Sequence, residues 1–388
     1  MTSAKKYPFC DVGSTGIPGI TNFRRPMNIL KSAKTFLALA LTVVLAFSSC
    51  HNMIFDDEGD CEVVHKVKFV YDLNLKWADA FSSEVNSVNL YVFDANGVFV
   101  KEYLGRGEEL SKPDYSMVLD LPVGDYKLVA WCGLDNGNAE GESFTVLQPV
   151  AGVTTIDALT CRLNTQSILA SRSADDVECS DKRLYFLYHG CMDISIVDNH
   201  DGKEYIHTMR LTKNTNHIRI ILQELSNDEG LNPDDYSISI EAANGLYGCD
   251  NALLGNTVVK YTPWNQTADE VGVGRVDVDG NSVKYVKGLV ADLSVGRMMA
   301  SQQSDMMLTI TDNKTQEKII ARVPIIQYAL LSRSYYEMAY GHTMTDQEFL
   351  DREDEYVMTF FLYQNRWLDS FINILSWRIV IHDYELGS

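Results

Sequence analysis

The sequence is short of nearly everything that announces chemistry. It has no HExxH, no GxSxG and no P-loop, so zinc hydrolysis, serine acyl transfer and P-loop nucleotide chemistry have no motif behind them. It has no CxxC and no Cys/His pair at zinc-finger spacing, and no metal or cofactor is expected. Gly272-Val273-Gly274 lacks the third glycine of a dinucleotide loop. The eight histidines are scattered, and His189 reads as a strand-end residue rather than a ligand. Positive charge is also scarce: 33 Lys and Arg stand against 53 Asp and Glu, for a formal net charge of -20. Six of the basic residues lie in positions 1–50 against Asp11 alone, giving +5 there and leaving -25 to the remainder. Such an acidic surface repels phosphates, which argues against nucleic acid as a partner. Long apolar runs are missing too. The best, Phe36 to Phe47, falls short of the roughly 20 residues that a membrane-spanning helix needs.

That short run has another reading. Lys31 and Lys34 precede it, and Ser48 and Ser49 follow, which is the layout of a signal peptide. The pattern begins cleanly at Met27. Residues 1–26 therefore read as an extension ahead of the true start, and residues 27–49 as the signal. Phe47-Ser48-Ser49-Cys50 resembles a bacterial lipobox, with Phe47 where leucine is usual. Cleavage between Ser49 and Cys50 leaves Cys50 first in the chain and open to lipidation, and two or more acyl chains anchor a protein stably. Asp56, Asp57, Glu58 and Asp60 do not have the alternating spacing of a calcium loop. Residues 50–62 read instead as a solvated acidic tether.

With Cys10 and Cys50 set aside, Cys61, Cys132, Cys161, Cys179, Cys191 and Cys249 remain. Outside the cytoplasm they are free to pair, but six cysteines allow about 15 pairings and the sequence does not choose among them. Buried free thiols are an equal reading.

From residue 63 the chain reads as strands. Val67, Phe69, Tyr71, Leu73 and Leu75 alternate with polar residues, the period of a half-buried strand. Val88–Phe93, the turn Asp94-Ala95-Asn96-Gly97 and Val98–Val100 form a hairpin signal. Tyr115–Leu121, Gly124–Trp131, Leu184–Leu187 and Ile194–Val197 continue the series, and Asp198–Gly202 reads as a polar turn. A second series follows: Ile218–Leu222, Tyr236–Ile240, the hairpin Met307–Thr311 with Lys318–Val323, Phe360–Leu362 and Trp377–Ile381. Asp277–Asn281 is a turn by its Asp-Gly pair. One helix is expected, from the capping pair Thr345 and Glu348 ahead of Phe349 and Leu350. Short strands punctuated by turns predict an all-β protein of two β-sandwich domains, at residues 63–203 and 204–388. Trp131 and Trp377 sit inside alternating strands and read as core, while Trp77, Trp264 and Trp367 fall near loops. Convergence of those three on one face would favour glycan binding; a buried carboxylate cluster would favour an enzyme.

Several segments, in order, resemble the FimB-type fimbrial anchor lipoproteins of Bacteroidales. They are Phe55–Cys61, Tyr71-Asp72, Val88–Asp94, Leu121–Tyr126 leading to Trp131, Leu187-Tyr188-His189-Gly190, Arg210–Ile218, Phe349–Tyr356 and Trp377–Val380. The resemblance spans nearly all of residues 50–388. It implies two transthyretin-like sandwiches and a non-catalytic lipoprotein at the outer membrane, and the acidic residues soon after Cys50 resemble a surface-export signal, which implies surface exposure. It also implies fimbrial subunits as partners, bound by strand exchange at the base of a fimbria whose length the anchor limits. In shaft subunits of this kind a protease cuts after an arginine and removes the first strand. Here no arginine lies between Cys50 and Arg106, so the first strand stays attached. Ser171-Arg172-Ser173 looks cleavable but lies inside the first domain. The strand of Trp377, Ile379 and Ile381 is the candidate pilin contact, with a buried closing strand as the alternative. A glycan-binding surface lipoprotein of a polysaccharide-uptake system is the competing function.

Overall fold

The computed structural model describes residues 63–135, 142–168, 177–198, 202–226, 230–255, 258–276, 283–374 and 377–381. Ser49, Cys50, the leader, the acidic tether, Cys61, the Ser171 loop and the Asp277–Asn281 turn lie outside the described residues. Two packed sandwiches account for most of the structure, as the strand pattern predicts.

The first begins at Val64–Val70. Its alternation buries Val67 and Phe69 on one face. The strand stops at Val70, five positions before the sequence pattern does, because Asn74 folds the chain over. Its amide donates to the carbonyls of Tyr71 and Ala78, at 2.9 and 2.8 Å, and its side-chain oxygen accepts from the Lys76 N–H. Trp77 follows at φ 54, outside any strand conformation. Leu73 and Leu75 therefore leave the ladder. Val64–Val70 is central in a three-stranded sheet, parallel to Glu204–Arg210 and antiparallel to Met117–Leu119. Facing it is a five-stranded sheet in the order Thr212–Lys213, Tyr188–Ile196, Gly124–Cys132, Ser87–Asp94 and Phe99–Arg106. The predicted hairpin is present. Asp94 accepts from the N–H groups of Asn96 and Val98, and Gly97 takes the left-handed φ of 75 that the turn requires.

The second sandwich has two six-stranded sheets. One runs Asn265–Val276, Val283–Gly296, Thr215–Glu224, Glu355–Tyr363, Arg366–Ile374 and Trp377–Ile381. The other runs Lys318–Pro324, Met307–Asp312, Tyr236–Ala242, Val259–Tyr261, Val177–Ser180 and Gln166–Ile168. A small sheet of Leu246–Tyr247, Cys161–Leu163 and Phe144–Val146 completes the set. The chain passes between the sandwiches more than once. Glu204–Arg210 belongs to the first, while Gln166–Ile168 and Val177–Ser180 pair within the second. A single cut between residues 203 and 204 does not separate them, because pairing partners are chosen by ladder geometry and not by order along the chain.

The five-stranded sheet is covered on both faces. Val88, Leu90, Val92, Leu128 and Ala130 enter the first core, while Tyr91, Phe93, Val129 and Trp131 enter the second. That explains why Ser87–Asp94 reads as an almost unbroken apolar run rather than an alternation. The segment Leu184–Leu187 buries Leu184 and Leu187 but is not a strand. Its backbone crosses Gly133 so closely that a side chain there would strike the Phe186 carbonyl, and Tyr185 N–H is taken by the Ser143 hydroxyl at 3.0 Å.

The helix near the C-terminus is Asp346–Arg352, and the Thr345 hydroxyl accepts from the Glu348 N–H at 3.1 Å. Two short helices, Ile325–Leu330 and Arg333–Tyr340, precede it. Among the described residues no helix is long and apolar enough to cross a membrane.

Candidate assembly interface

The two chain ends of the fold differ in how their strands are held. Val64–Val70 has a neighbour on each side, and His65 adds side-chain bonds. Its ring nitrogens lie 3.0 Å from His207 Nε2 and 2.9 Å from the Val197 carbonyl oxygen. Trp377–Ile381 ends its sheet. It pairs with Arg366–Ile374 through Ile372–Ile379 and the flanking positions, and among the described residues nothing pairs with its other side. The candidate strand Trp377, Ile379 and Ile381 is thus an edge strand, with one row of backbone N–H and C=O groups left open.

Between these ends lies a buried polar junction that the strand pattern does not reveal. Lys213 is buried. Its ammonium pairs with Glu84 at 3.4 Å and with Asp354, and stands 3.5 Å from the centre of the Phe186 ring. Glu84 also accepts from the Tyr188 hydroxyl at 2.8 Å. Nearby, Arg352 donates to the carbonyls of Asp72 and Asn74, at 3.0 and 3.1 Å, and its guanidinium lies 3.5 Å from the centre of the Trp77 ring. It thereby grips the turn that ends the first strand. Glu353 is buried beside it. One carboxylate oxygen accepts from the Tyr336 hydroxyl, and the other from the N–H groups of Asp354 and Glu355. Burial pushes the Glu353 carboxyl up to about 7. Lys213 and Arg352 come from the segments Arg210–Ile218 and Phe349–Tyr356, which the fold brings together at the His217 N–H and the Asp354 carbonyl, 2.8 Å apart. The available signal was a lone lysine and a lone arginine inside those two segments, without any periodicity to mark them as buried.

The loop tryptophans go to separate places. Trp77 meets Arg352 and His342. Trp264 meets Arg183 and His217. Trp367 lies in a strand, against Phe360. Trp131 is fully buried, as expected of a core residue. His189 is buried at the start of its strand. Its ring packs at a tilt against Trp131 and bonds the Cys249 carbonyl at 2.9 Å, and burial pushes its imidazole down to about 4. Among the described residues no group of His, Cys, Asp and Glu is arranged to hold a metal.

A family model described as Fimbrillin-A associated anchor proteins Mfa1 and Mfa2 matches residues 57–383. The chain belongs to this family. It is 22% identical over 237 residues to the minor fimbrium anchoring subunit Mfa2 of Porphyromonas gingivalis, a match that covers 60% of this chain and 66% of that protein. Among solved structures, a candidate adhesin from Bacteroides thetaiotaomicron is 31% identical with a TM-score of 0.67, over 82% of this chain and 97% of the other. A candidate polysaccharide-binding protein from the same organism is 26% identical with a TM-score of 0.66, over 83% and 99%. Membership in the anchor family agrees with the resemblance read from the sequence. Apart from Phe55–Cys61, which lies outside the described residues, the segments that carried it fall on the turn after the first strand, the five-stranded sheet, the polar junction and the edge strand.

Proposed function

We propose that this protein is a lipid-anchored fimbrial anchor of the outer membrane, non-catalytic, which binds a fimbrial subunit by strand addition at Trp377–Ile381. The observation that carries the reading is the contrast in strand pairing. The first strand is sealed between two neighbours, whereas Trp377–Ile381 offers an open backbone edge. An added strand gains affinity from the unpaired backbone groups and register from alternating side-chain positions. Because the first strand stays in place, its own groove stays filled, and a shaft would end at this protein. Cys50 supplies the lipid, and the acidic residues 50–62 supply a tether at the cell surface.

Glu353, the carboxyl most displaced by burial, has its oxygens taken by Tyr336 and two backbone N–H groups. It therefore supports the junction rather than a reaction. The glycan-binding reading needs a shared aromatic face, and Trp77, Trp264 and Trp367 each have their own neighbours.

The test is recovery of the tagged protein from native outer membrane. Co-purification of fimbrial polymers, reduced by Ile379→Pro, supports the anchor. Co-purification of a porin-type transporter with glycan enzymes overturns it. Separately, Cys50→Ala is expected to move the protein to the soluble fraction, and continued membrane association would remove the lipid assignment.

A further inference from the structure

Cys191 and Cys249 come from distant parts of the chain, and the fold brings the Cys249 backbone to the strand that carries Cys191. The strand Tyr188–Ile196 sends Tyr188, Ile194 and Ile196 into the first core. His189 and Cys191 therefore leave from its other face, two positions apart. His189 is held against Trp131, ring centres 4.5 Å apart, and its Nε2 lies 2.9 Å from the carbonyl oxygen of Cys249. The backbone at Cys249 is thus pinned above the face from which Cys191 projects.

The turn that carries Cys249 is itself well fixed. Gly248 N–H bonds the Ala252 carbonyl at 2.9 Å. Asn251, at φ 66, exchanges amide bonds with Asn214 at 2.6 and 3.0 Å. Arg297 donates to the Asn251 carbonyl at 3.0 Å while holding Asp351 with two bonds of 2.8 Å. Cys191 is exposed and Cys249 half-buried, so an oxidant can reach them. By contrast Cys132 and Cys161 are sealed in the first and second cores respectively. Burial is the main cause that raises both thiols, and the Asp250 carboxylate raises each further.

We propose that Cys191 and Cys249 are a disulfide-forming pair, which staples the five-stranded sheet of the first sandwich to the turn after Leu246–Tyr247. The oxidant is an external disulfide, either a thiol–disulfide carrier of the cell envelope or oxidised glutathione. The thiolate of one cysteine attacks a sulfur of that disulfide, forming a mixed disulfide and releasing one thiolate. The thiolate of the second cysteine then attacks the protein sulfur of the mixed disulfide and expels the other. Two electrons leave with the carrier, now a pair of thiols, and the two cysteine protons pass to solvent or to those thiols. Burial raises both protein thiols, so exchange is slow near neutrality and speeds up as pH rises.

The experiment uses the purified chain with excess oxidised glutathione, followed by alkylation and peptide mapping. The expected product is a peptide pair joining Cys191 to Cys249, about 2 Da lighter than the two thiol peptides. It disappears in Cys191→Ser and in Cys249→Ser, persists in Cys179→Ser, and loses its preference over other pairings in urea. Alkylation of both cysteines after oxidation, mixed glutathione disulfides alone, or dominant pairing with another cysteine in the folded protein would overturn it.

Discussion

The first and last described strands are both short, yet the fold treats them oppositely. Val64–Val70 has a neighbour on each side, a histidine link to Glu204–Arg210, and Arg352 holding the turn beyond it. Trp377–Ile381 has one neighbour. A strand with both ladders filled is part of the body, whereas a strand with one ladder open is a place to bind. On the proposed function, the difference would let a subunit of this architecture end a polymer by keeping its first strand.

The sharpest way to break that comparison is to hollow out the first strand. Phe69 is 1% exposed and stacks on Phe81 and Tyr115. Phe69→Ala is expected to cost about 3–5 kcal/mol in a denaturant melt. A loss no larger than that from an edge substitution would mean the first strand is not held as described. Arg352→Ala leaves the Asp72 and Asn74 carbonyls without their buried donor and removes the ring contact with Trp77, for about 3 kcal/mol. Hydrogen exchange should show faster opening at residues 64–76 in this variant, and unchanged protection there would separate Arg352 from the first strand.

The next effect is a pH dependence at the junction. The Glu353 carboxyl lies near 7 in the fold against an ordinary 4.5. Between those values the folded chain binds more protons than the unfolded one, so this contribution is full below about 4.5 and is lost as pH rises towards 7. Its size is on the order of 2 kcal/mol, and Glu353→Gln should flatten that part of the stability curve. His189 acts in the opposite sense between about 6.5 and 4, where the unfolded chain takes up the proton and stability falls with falling pH. The smallest expected change in stability, under about 1 kcal/mol, is for Ile379→Pro on the edge. The same change should reduce subunit binding at least about tenfold. Equal binding by both proteins would move the interface elsewhere.

Much of the fold was legible because a sandwich strand with one wet face must alternate. Val67 and Phe69, Ile218 to Leu222, and Tyr236 to Ile240 all declared their inward faces, and Thr345 declared its helix. The failures have local causes. Leu73 and Leu75 keep the alternation although the strand has already ended at Val70, and Leu184 and Leu187 are apolar because they are buried, not because they pair. The helices Ile325–Leu330 and Arg333–Tyr340 gave too little helical periodicity over their short lengths to stand out among strands. Of the candidate site, the edge strand could be located in the sequence but its openness could not.

Composition and local pattern, by themselves, determined the class of this protein: acidic, without a recognised catalytic motif, all-β, with an apolar leader-like run ahead of Cys50. Those properties depend on residues close in sequence, where charge, period and turn chemistry act directly. Tertiary structure alone decided that Gln166–Ile168 and Val177–Ser180 would pair within the second sandwich, that Lys213 and Arg352 would be buried together, that the Cys249 carbonyl would bond His189, and that the last described strand would have no partner among the described residues on one side. Each is a choice of partner across the chain, set by how sheets pack and which ladders remain unfilled, and a linear pattern does not carry that information.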